Sequence, residues 1–156
     1  GMPELLAYDE DTAFSLADDA ATVSAIARRT AEERLRAARF GEWNAKEVIG
    51  HLADLAEVFA ERVRRCVDEE SPWLPSVDEN ALAGERRNGE RDARELSKRL
   101  QAAHGAIIQL MRRPGAGERP AVHQEQGRVT AAHVAARCAR HSREHVRELQ
   151  EAFPPA

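Results

Sequence analysis

The sequence WNAKEVIGHLADLAEVFAERVRRC, at residues 43–66, predicts a long amphipathic α-helix. Asn44 is a favourable N-cap residue, and Glu47 stands three positions later, where a capping box places its acidic partner. Apolar side chains then recur every three or four residues, which is the spacing of one helix face: Val48, Leu52, Leu55, Phe59, Val63 and Cys66. We therefore expect a helix that begins after Asn44, ends near Glu70 and packs through this face.

Three more segments have helical periodicity, and together with the first they predict a four-helix bundle. They cover about residues 11–29, 90–113 and 130–153, and Thr130 is placed to cap the last of them. The chain is rich in Ala, Leu, Arg and Glu, which are strong helix formers. No window shows the strict alternation of a half-buried strand. The predicted fold class is therefore all-α.

The connections between these helices are predicted to contain short helices and loops. Short helices are expected over residues 30–38, with Thr30 as the cap, and over residues 77–87. Residues 71–75 contain two prolines and are too proline-rich for a helix. Residues 118–129 are polar, and we expect a loop there that crosses one end of the bundle.

Length, charge and cysteine content limit the class of protein. The 156 residues are enough for one domain with its own core, which we place at residues 4–153. Gly1, in front of Met2, is interpreted as the remnant of a cleaved tag. The formal net charge is −4 with acids interleaved among the arginines, so no basic face for nucleic acid is expected. No segment has the roughly 18 apolar residues of a membrane span. Two widely spaced cysteines, Cys66 and Cys138, predict no disulfide framework and suit a reducing cytoplasm.

Three histidines fall on or beside the apolar faces of two predicted helices. His141 and His145 are one turn apart on the last helix, and His51 lies on the helix that follows Asn44. Burying several imidazoles without partners is costly, whereas three imidazoles around one ion form a transition-metal site with an open position. The sequence therefore predicts His51, His141 and His145 as metal ligands. Each of them taken alone is more often an ordinary core or boundary residue.

The other three histidines are assigned structural roles. His133 is the third residue of the last helix and lies off the ligand face, so a surface or capping role is expected. His104 flanks the apolar face of the third long helix and is interpreted as a boundary residue. His123 falls in the polar connection, and an ordinary loop role is favoured there over a place at the rim of the pocket.

Three further side chains lie near the predicted ligands. Asp54, one turn from His51, and Glu148, one turn from His145, are candidates to orient the imidazoles by hydrogen bonding. Their alternative role is that of ordinary solvent-exposed acids. Cys138 lies on the core face of the last helix, and we interpret it as a small buried thiol in an alanine-rich core.

Two patches of sequence resemble the DinB/YfiT-like superfamily of metalloenzymes. The first is WNAKEVIGHLAD at residues 43–54, and the second joins GRVT at residues 127–130 to HSREH at residues 141–145 and Leu149. Helix order and spacing agree over nearly the whole chain. The resemblance implies a four-helix bundle, often a homodimer, with a divalent metal held by three histidines: here His51, His141 and His145. Known relatives include thiol-dependent transferases and isomerases that use bacillithiol or mycothiol.

The expected chemistry is activation of a nucleophile. A divalent ion on three neutral imidazoles keeps its full charge, so water or a thiol in its open position would lose a proton easily. Zinc and nickel both suit such a donor set. We expect a metal-dependent hydrolase or thiol S-transferase that acts on a small molecule, with a low-molecular-weight thiol as one candidate substrate; no catalytic residue is assigned. Two alternatives stay open: a metal-binding protein without catalysis, and a helical interaction or dimerisation module whose histidines are incidental.

Overall fold

A computed structural model describes residues 4–155 of the chain. Gly1, interpreted above as a tag remnant, lies outside the described residues. The helices are α1 (Glu10–Arg29), α2 (Glu32–Ala37), α3 (Ala45–Asp68), α4 (Glu79–Arg86), α5 (Ala93–Met111) and α6 (Ala131–Ala152). The strands are short, namely β1 (Arg39–Phe40), β2 (Trp43–Asn44), β3 (Trp73–Leu74), β4 (Pro120–His123) and β5 (Gly127–Thr130).

The four long helices α1, α3, α5 and α6 form a bundle, as predicted. Both α1 and α3 pack against α5 and α6, so α1 and α3 lie diagonally across the core. This order places α3 and α6, which carry the three candidate ligands, side by side. The fully buried side chains come from all four helices and include Leu16, Ile26, Ile49, Leu52, Leu100 and Leu149. In the part of the chain that the structure describes, no helix has the length and apolarity that a membrane crossing requires.

The predicted caps of the two helices that carry the candidate ligands are confirmed. The Asn44 side chain accepts a hydrogen bond from the Glu47 N–H, and the Glu47 carboxylate accepts one from the Asn44 N–H. On α6, the Thr130 hydroxyl accepts a hydrogen bond from the N–H of His133. These bonds satisfy backbone donors that the first helical turn leaves without partners. The ends of both helices are therefore set by local sequence.

Two other predicted helix starts are wrong. Thr30 ends α1 rather than capping α2, which begins after Ala31 without any side-chain cap. Helix α5 begins at Ala93, capped by Asp92, rather than at residue 90. The reason is that Asn88–Glu90 forms a separate short 3-10 turn, which is held against α3 by contacts from a distant part of the chain.

The connection predicted as a polar loop is a β-hairpin instead. Strands β4 and β5 pair antiparallel, and β3 adds to β4 in parallel, so three short strands close one end of the bundle. Ala121 and Val129 are buried in the core, and Gly127, the first residue of β5 after the turn, adopts a φ of +76°. Four-residue strands are too short for alternation to identify them. Pairing nevertheless satisfies backbone groups that would otherwise be buried without partners where the chain crosses the bundle.

Candidate metal centre

The three predicted ligands lie together between α3 and α6. The Nε2 atoms of His51 and His141 are 3.1 Å apart. The centroid of the His145 ring is 5.1 Å from that of His51 and 4.8 Å from that of His141. Each residue has one ring nitrogen that lies within 4.8 Å of a ring nitrogen of each of the other two. The sequence-based expectation that these rings converge is therefore confirmed.

Local helix geometry explains how the rings meet. His141 and His145 are four residues apart on α6 and so present neighbouring rings on one face. His51 comes in the second turn of α3, soon after the capping box, and its ring is held between α6 and the indole of Trp43, whose centroid is 4.6 Å away. Because α3 and α6 are neighbours in the bundle, their facing positions bring the three rings into one group.

Burial keeps the cluster in the form that binds metals. Burial, together with smaller contributions from the neighbouring His141 and His145, lowers the pKa of His51 to about 3. Burial likewise lowers the pKa of His141 to about 4, with smaller contributions from His145 and Arg137. Both rings are therefore neutral at pH 7, and a neutral imidazole has the free lone pair that a metal ion needs.

The donor set fits a divalent transition metal. Two imidazole nitrogens on one tetrahedral ion, each bonded at 2.0–2.1 Å, would stand about 3.3 Å apart. The nitrogens of His51 and His141 are close to that spacing, at 3.1 Å. In addition, the Nδ1 atom of His145 is buried and has no hydrogen-bond partner among the described residues. Neutral nitrogens gathered in this way are the donors that zinc, nickel and similar ions prefer.

A glutamate that the sequence analysis did not single out also lies at the cluster. The Oε2 atom of Glu79 is 3.9 Å from the Nε2 atom of His51. Glu79 is the first residue of α4, a helix with no buried residue, and half of its side chain is exposed. Its place in the sequence carries no signal for this role, because the contact depends on how the connection between α3 and α5 folds back.

Comparison with known proteins agrees with this geometry. A family model described as the DinB superfamily matches residues 16–149 of the chain. The chain belongs to the DinB superfamily. The match covers most of the sequence and contains all three clustered histidines, and it confirms the resemblance drawn from the two sequence patches.

A solved structure shares the DinB fold of this chain. It is YfiT from Bacillus subtilis, described as a probable metal-dependent hydrolase with an unusual four-helix bundle topology. The two chains superpose with a TM-score of 0.81 and 20% sequence identity, over 97% of this chain and 92% of that one. At that identity the likeness shows the fold. No curated protein sequence matches this chain.

The segment that carries Glu79 is attached to α3 of the DinB bundle through Asn88. The side chain of Asn88 is buried, and its Nδ2 donates a hydrogen bond of 3.0 Å to Oδ2 of Asp54. A Cβ atom at Gly50 would lie 2.2 Å from the Cγ of Asn88. The absence of a side chain at Gly50, one residue before His51, therefore permits this close contact.

The two acids predicted to orient the imidazoles have other surroundings. Asp54 is buried and accepts hydrogen bonds from Asn88 and from Arg99, at 2.7 Å for the latter, so it is neither bonded to His51 nor exposed to solvent. Glu148 stands closer to the cluster, but its Oε2 is 3.8 Å from the Nδ1 of His145, which is longer than a hydrogen bond.

The predictions for two other histidines are wrong. His104 is fully buried rather than at a boundary, and its Nδ1 donates a hydrogen bond of 2.7 Å to the carbonyl of Leu16. His133 is buried rather than on the surface. Its Nδ1 accepts a hydrogen bond from the N–H of Leu6, and its Nε2 bonds to Oε1 of Gln126. Both rings sit away from the metal cluster and are held by neighbours from distant parts of the chain.

The remaining candidates are His123 and Cys138. His123 belongs to β4 rather than to a loop, so the expected loop role is wrong, and its buried side chain lines a cavity. Cys138 is buried, as predicted, and burial raises the pKa of its thiol far above the ordinary value. A protonated buried thiol is a packing residue rather than a nucleophile.

Proposed function

We propose that this DinB-superfamily protein is a metal-dependent hydrolase that acts on a small molecule. The observation that carries the proposal is the group of three imidazoles, the buried His51 and the half-buried His141 and His145, whose nitrogens face one another. Imidazole rings gathered in this way have few stable uses other than holding a cation. The description of YfiT as a probable metal-dependent hydrolase supports the same reaction class.

Each residue of the site has its own proposed role. His51, His141 and His145 would hold a divalent ion, with zinc or nickel as the proposed metals. When bound, the ion supplies Lewis-acid activation of water and of the substrate carbonyl. The indole of Trp43 covers one side of His51 and keeps solvent away from that ring.

Glu79 is the proposed general base. Its carboxylate lies beside His51 at the solvent-exposed side of the cluster, where it can accept a proton from a water molecule. The hydroxyl of that water bonds to the carbonyl carbon, the bond to the leaving oxygen or nitrogen breaks, and Glu79 returns the proton to the leaving group. This carboxylate favours hydrolysis over thiol transfer, since a bound thiol would lose its proton without a base.

The first experiment measures metal content by mass spectrometry on protein prepared without chelator. We expect one divalent ion per chain in the native protein and its loss in His145→Ala. His104→Asn is the matched control, since it also changes a buried histidine while its amide can still donate to the Leu16 carbonyl. A metal-free native protein, or equal metal content in both variants, would contradict the proposed centre.

The second experiment separates catalysis from metal storage. Metal-loaded protein is screened against ester, amide and thiol-conjugate substrates, and Glu79→Gln is compared with the native chain. We expect ester or amide turnover that falls by about 10²–10⁴-fold in Glu79→Gln, the usual contribution of a general base, with metal content unchanged. Turnover of thiol conjugates alone would favour the S-transferase, and no turnover with full metal content would favour a metal-binding protein. The proposed homodimer is tested on the same samples by sedimentation equilibrium.

A further inference from the structure

A cavity of about 190 Å³ lies beside the histidine cluster. It is formed where α3, α6, the β4–β5 hairpin and the segment leading into α4 meet. The residues that matter for its chemistry are Phe59 and Arg62 from α3, Arg137 from α6, His123 from β4, and Ser76 and Glu79 around the start of α4. We call it the arginine cavity.

The arginine cavity is linked to the histidine cluster by Glu79 and by the positions of its residues on α3 and α6. Phe59 lies eight residues after His51 on α3, and Arg137 lies four residues before His141 on α6. At 1.5 Å of rise per residue these separations correspond to about 12 Å and about 6 Å along the helices. Glu79 belongs to both places, because it lines the cavity and lies 3.9 Å from the Nε2 of His51.

Two positive charges face this cavity without an ion-pair partner. Within the described residues, neither Arg62 nor Arg137 forms an ion pair with a carboxylate, although Glu79 and Glu125 also line the cavity. Arg62 donates one hydrogen bond, to the carbonyl of Pro75. Both side chains line the same cavity, and burial together with the nearby charge of Arg137 lowers the pKa of Arg62. Like charges placed together without counterions favour a bound anion.

Two hydrogen-bonding groups in the cavity also lack a partner. The Oγ of Ser76 is buried and has no hydrogen-bond partner among the described residues. The Nδ1 of His123 accepts hydrogen bonds from the backbone N–H groups of Glu125 and Gln126. The proton of this neutral ring is therefore on Nε2, which is a further donor on a side chain that lines the cavity. A buried polar group without a partner is unfavourable, so a ligand that accepts these hydrogen bonds would be stabilised.

We propose that the arginine cavity binds a carboxylate or phosphate group of the substrate, with Arg62 and Arg137 as the charged contacts and Ser76 and His123 as hydrogen-bond donors. Because it assigns a part of the substrate to this cavity, the inference rests on the proposed hydrolase function. The cavity is smaller than the 300–1,000 Å³ of pockets that enclose whole ligands. It therefore accommodates the anionic end of the substrate, and the bond to be hydrolysed lies toward the histidines.

The test is calorimetric titration of the full chain with succinate, inorganic phosphate and uncharged succinamide, each with metal-free and with zinc-loaded protein. We expect succinate or phosphate to bind in both preparations, and succinamide not to bind. The anion that binds more tightly shows whether the cavity accepts a carboxylate or a phosphate group. Arg137→Met should weaken this binding by at least about tenfold, the effect of one charge-assisted contact. Arg62→Met should act in the same direction.

Arg140→Met is the matched control, because it removes the same charge from an α6 position that is exposed, as Arg137 is, but does not line this cavity. It should keep anion binding within about twofold of the native value, as expected for a screened surface charge. Binding of no anion, equal binding of succinamide, or equal losses in the Arg137 and Arg140 variants would overturn the inference.

Metal content, measured on the same samples, separates this inference from the proposed function. Anion binding that depends on Arg137 in a protein that takes up no metal would reject the hydrolase and keep the cavity assignment. Stoichiometric metal without anion binding would reject the cavity assignment and keep the proposed hydrolase.

Discussion

His133 and His141 lie two turns apart on α6, yet their rings have different surroundings. Both nitrogens of His133 are hydrogen-bonded, one to the N–H of Leu6 and the other to the side chain of Gln126. The Nε2 of His141 faces the Nε2 of His51 instead. The first half of α6 therefore uses histidine to tie the hairpin and the chain before α1 to the bundle, and the middle of α6 gathers histidine nitrogens around one point.

This contrast shows that burial alone does not identify a functional histidine. His133 and His104 are buried as deeply as many core residues, and their hydrogen bonds to groups in distant elements explain why. In the cluster, by contrast, the ring nitrogens of His51 and His141 face each other at 3.1 Å. The distinguishing property is therefore the chemical identity of the partners, which can be tested by changing each group separately.

The largest expected effect is stabilisation by metal. At zinc concentrations a thousandfold above Kd, binding stabilises the native state by about 4 kcal/mol. For a chain of this length that corresponds to a rise in Tm of about 8–16 °C. His145→Ala should show no such rise in differential scanning calorimetry, whereas His133→Asn should show the full rise from a lower starting Tm. A full rise in Tm in both variants would mean that His145 is no more a metal ligand than His133 is.

The next effect is the pH dependence of stability in chelator-treated, metal-free protein. The pKa of His51 is lowered to about 3 in the folded chain, against an ordinary value of 6.5. Between these values the unfolded chain binds more protons, so stability is complete above pH 6.5 and is lost as the pH falls. The loss from His51 reaches at most about 1.4 kcal/mol per pH unit.

Urea unfolding at several pH values checks this expectation. The native chain should lose stability more steeply below pH 6.5 than His51→Asn, because the variant has one fewer buried group to protonate. Comparing the two chains cancels the contributions of other groups, including Asp19, whose pKa burial raises to about 6 and whose effect has the opposite sign. Parallel pH profiles would mean that His51 is protonated as readily in the folded, metal-free chain as in the unfolded chain, and would contradict this expectation.

A smaller effect is expected from two glycines, one in α3 and one in α5. Gly50→Ala places a methyl group against Asn88 and should cost about 1–3 kcal/mol of unfolding free energy, the usual range for overpacking. Gly105→Ala, in open space on α5, should instead stabilise the chain by up to about 1 kcal/mol. Urea denaturation measures both. Adding Asn88→Ala should recover part of the loss at Gly50 if the contact itself is the cause.

The smallest effect is expected at Glu148. Its carboxylate is 3.8 Å from the Nδ1 of His145, too far for a hydrogen bond, so Glu148→Gln should change zinc affinity by less than about twofold. Competition with a chromogenic chelator measures this affinity. A loss of about 10–100-fold, the usual cost of removing an acid that orients a ligand, would show that the carboxylate closes onto His145 when metal binds.

Much of the site could be predicted because its residues share helix faces. The capping box at Asn44 and the periodicity after it placed His51 on the inner face of α3, and the four-residue spacing of His141 and His145 placed them together on α6. Glu79 and Asn88 could not be found in this way, because they lie in a connection with weak periodicity and reach α3 through folding of the whole chain. The roles of Asp54 and His133 were missed for the same reason.

Local patterns in the amino-acid sequence were sufficient for the four long helices, the caps of α3 and α6 and the faces that carry the ligands. Caps and periodicity act over about four residues, and the chain satisfies them before distant parts meet. Packing was needed to add β3 to the hairpin, to bring Asn88 onto Gly50 and to give His51, His104 and His133 their distant partners. Those contacts join residues from tens to more than a hundred positions apart, so they depend on which helices become neighbours.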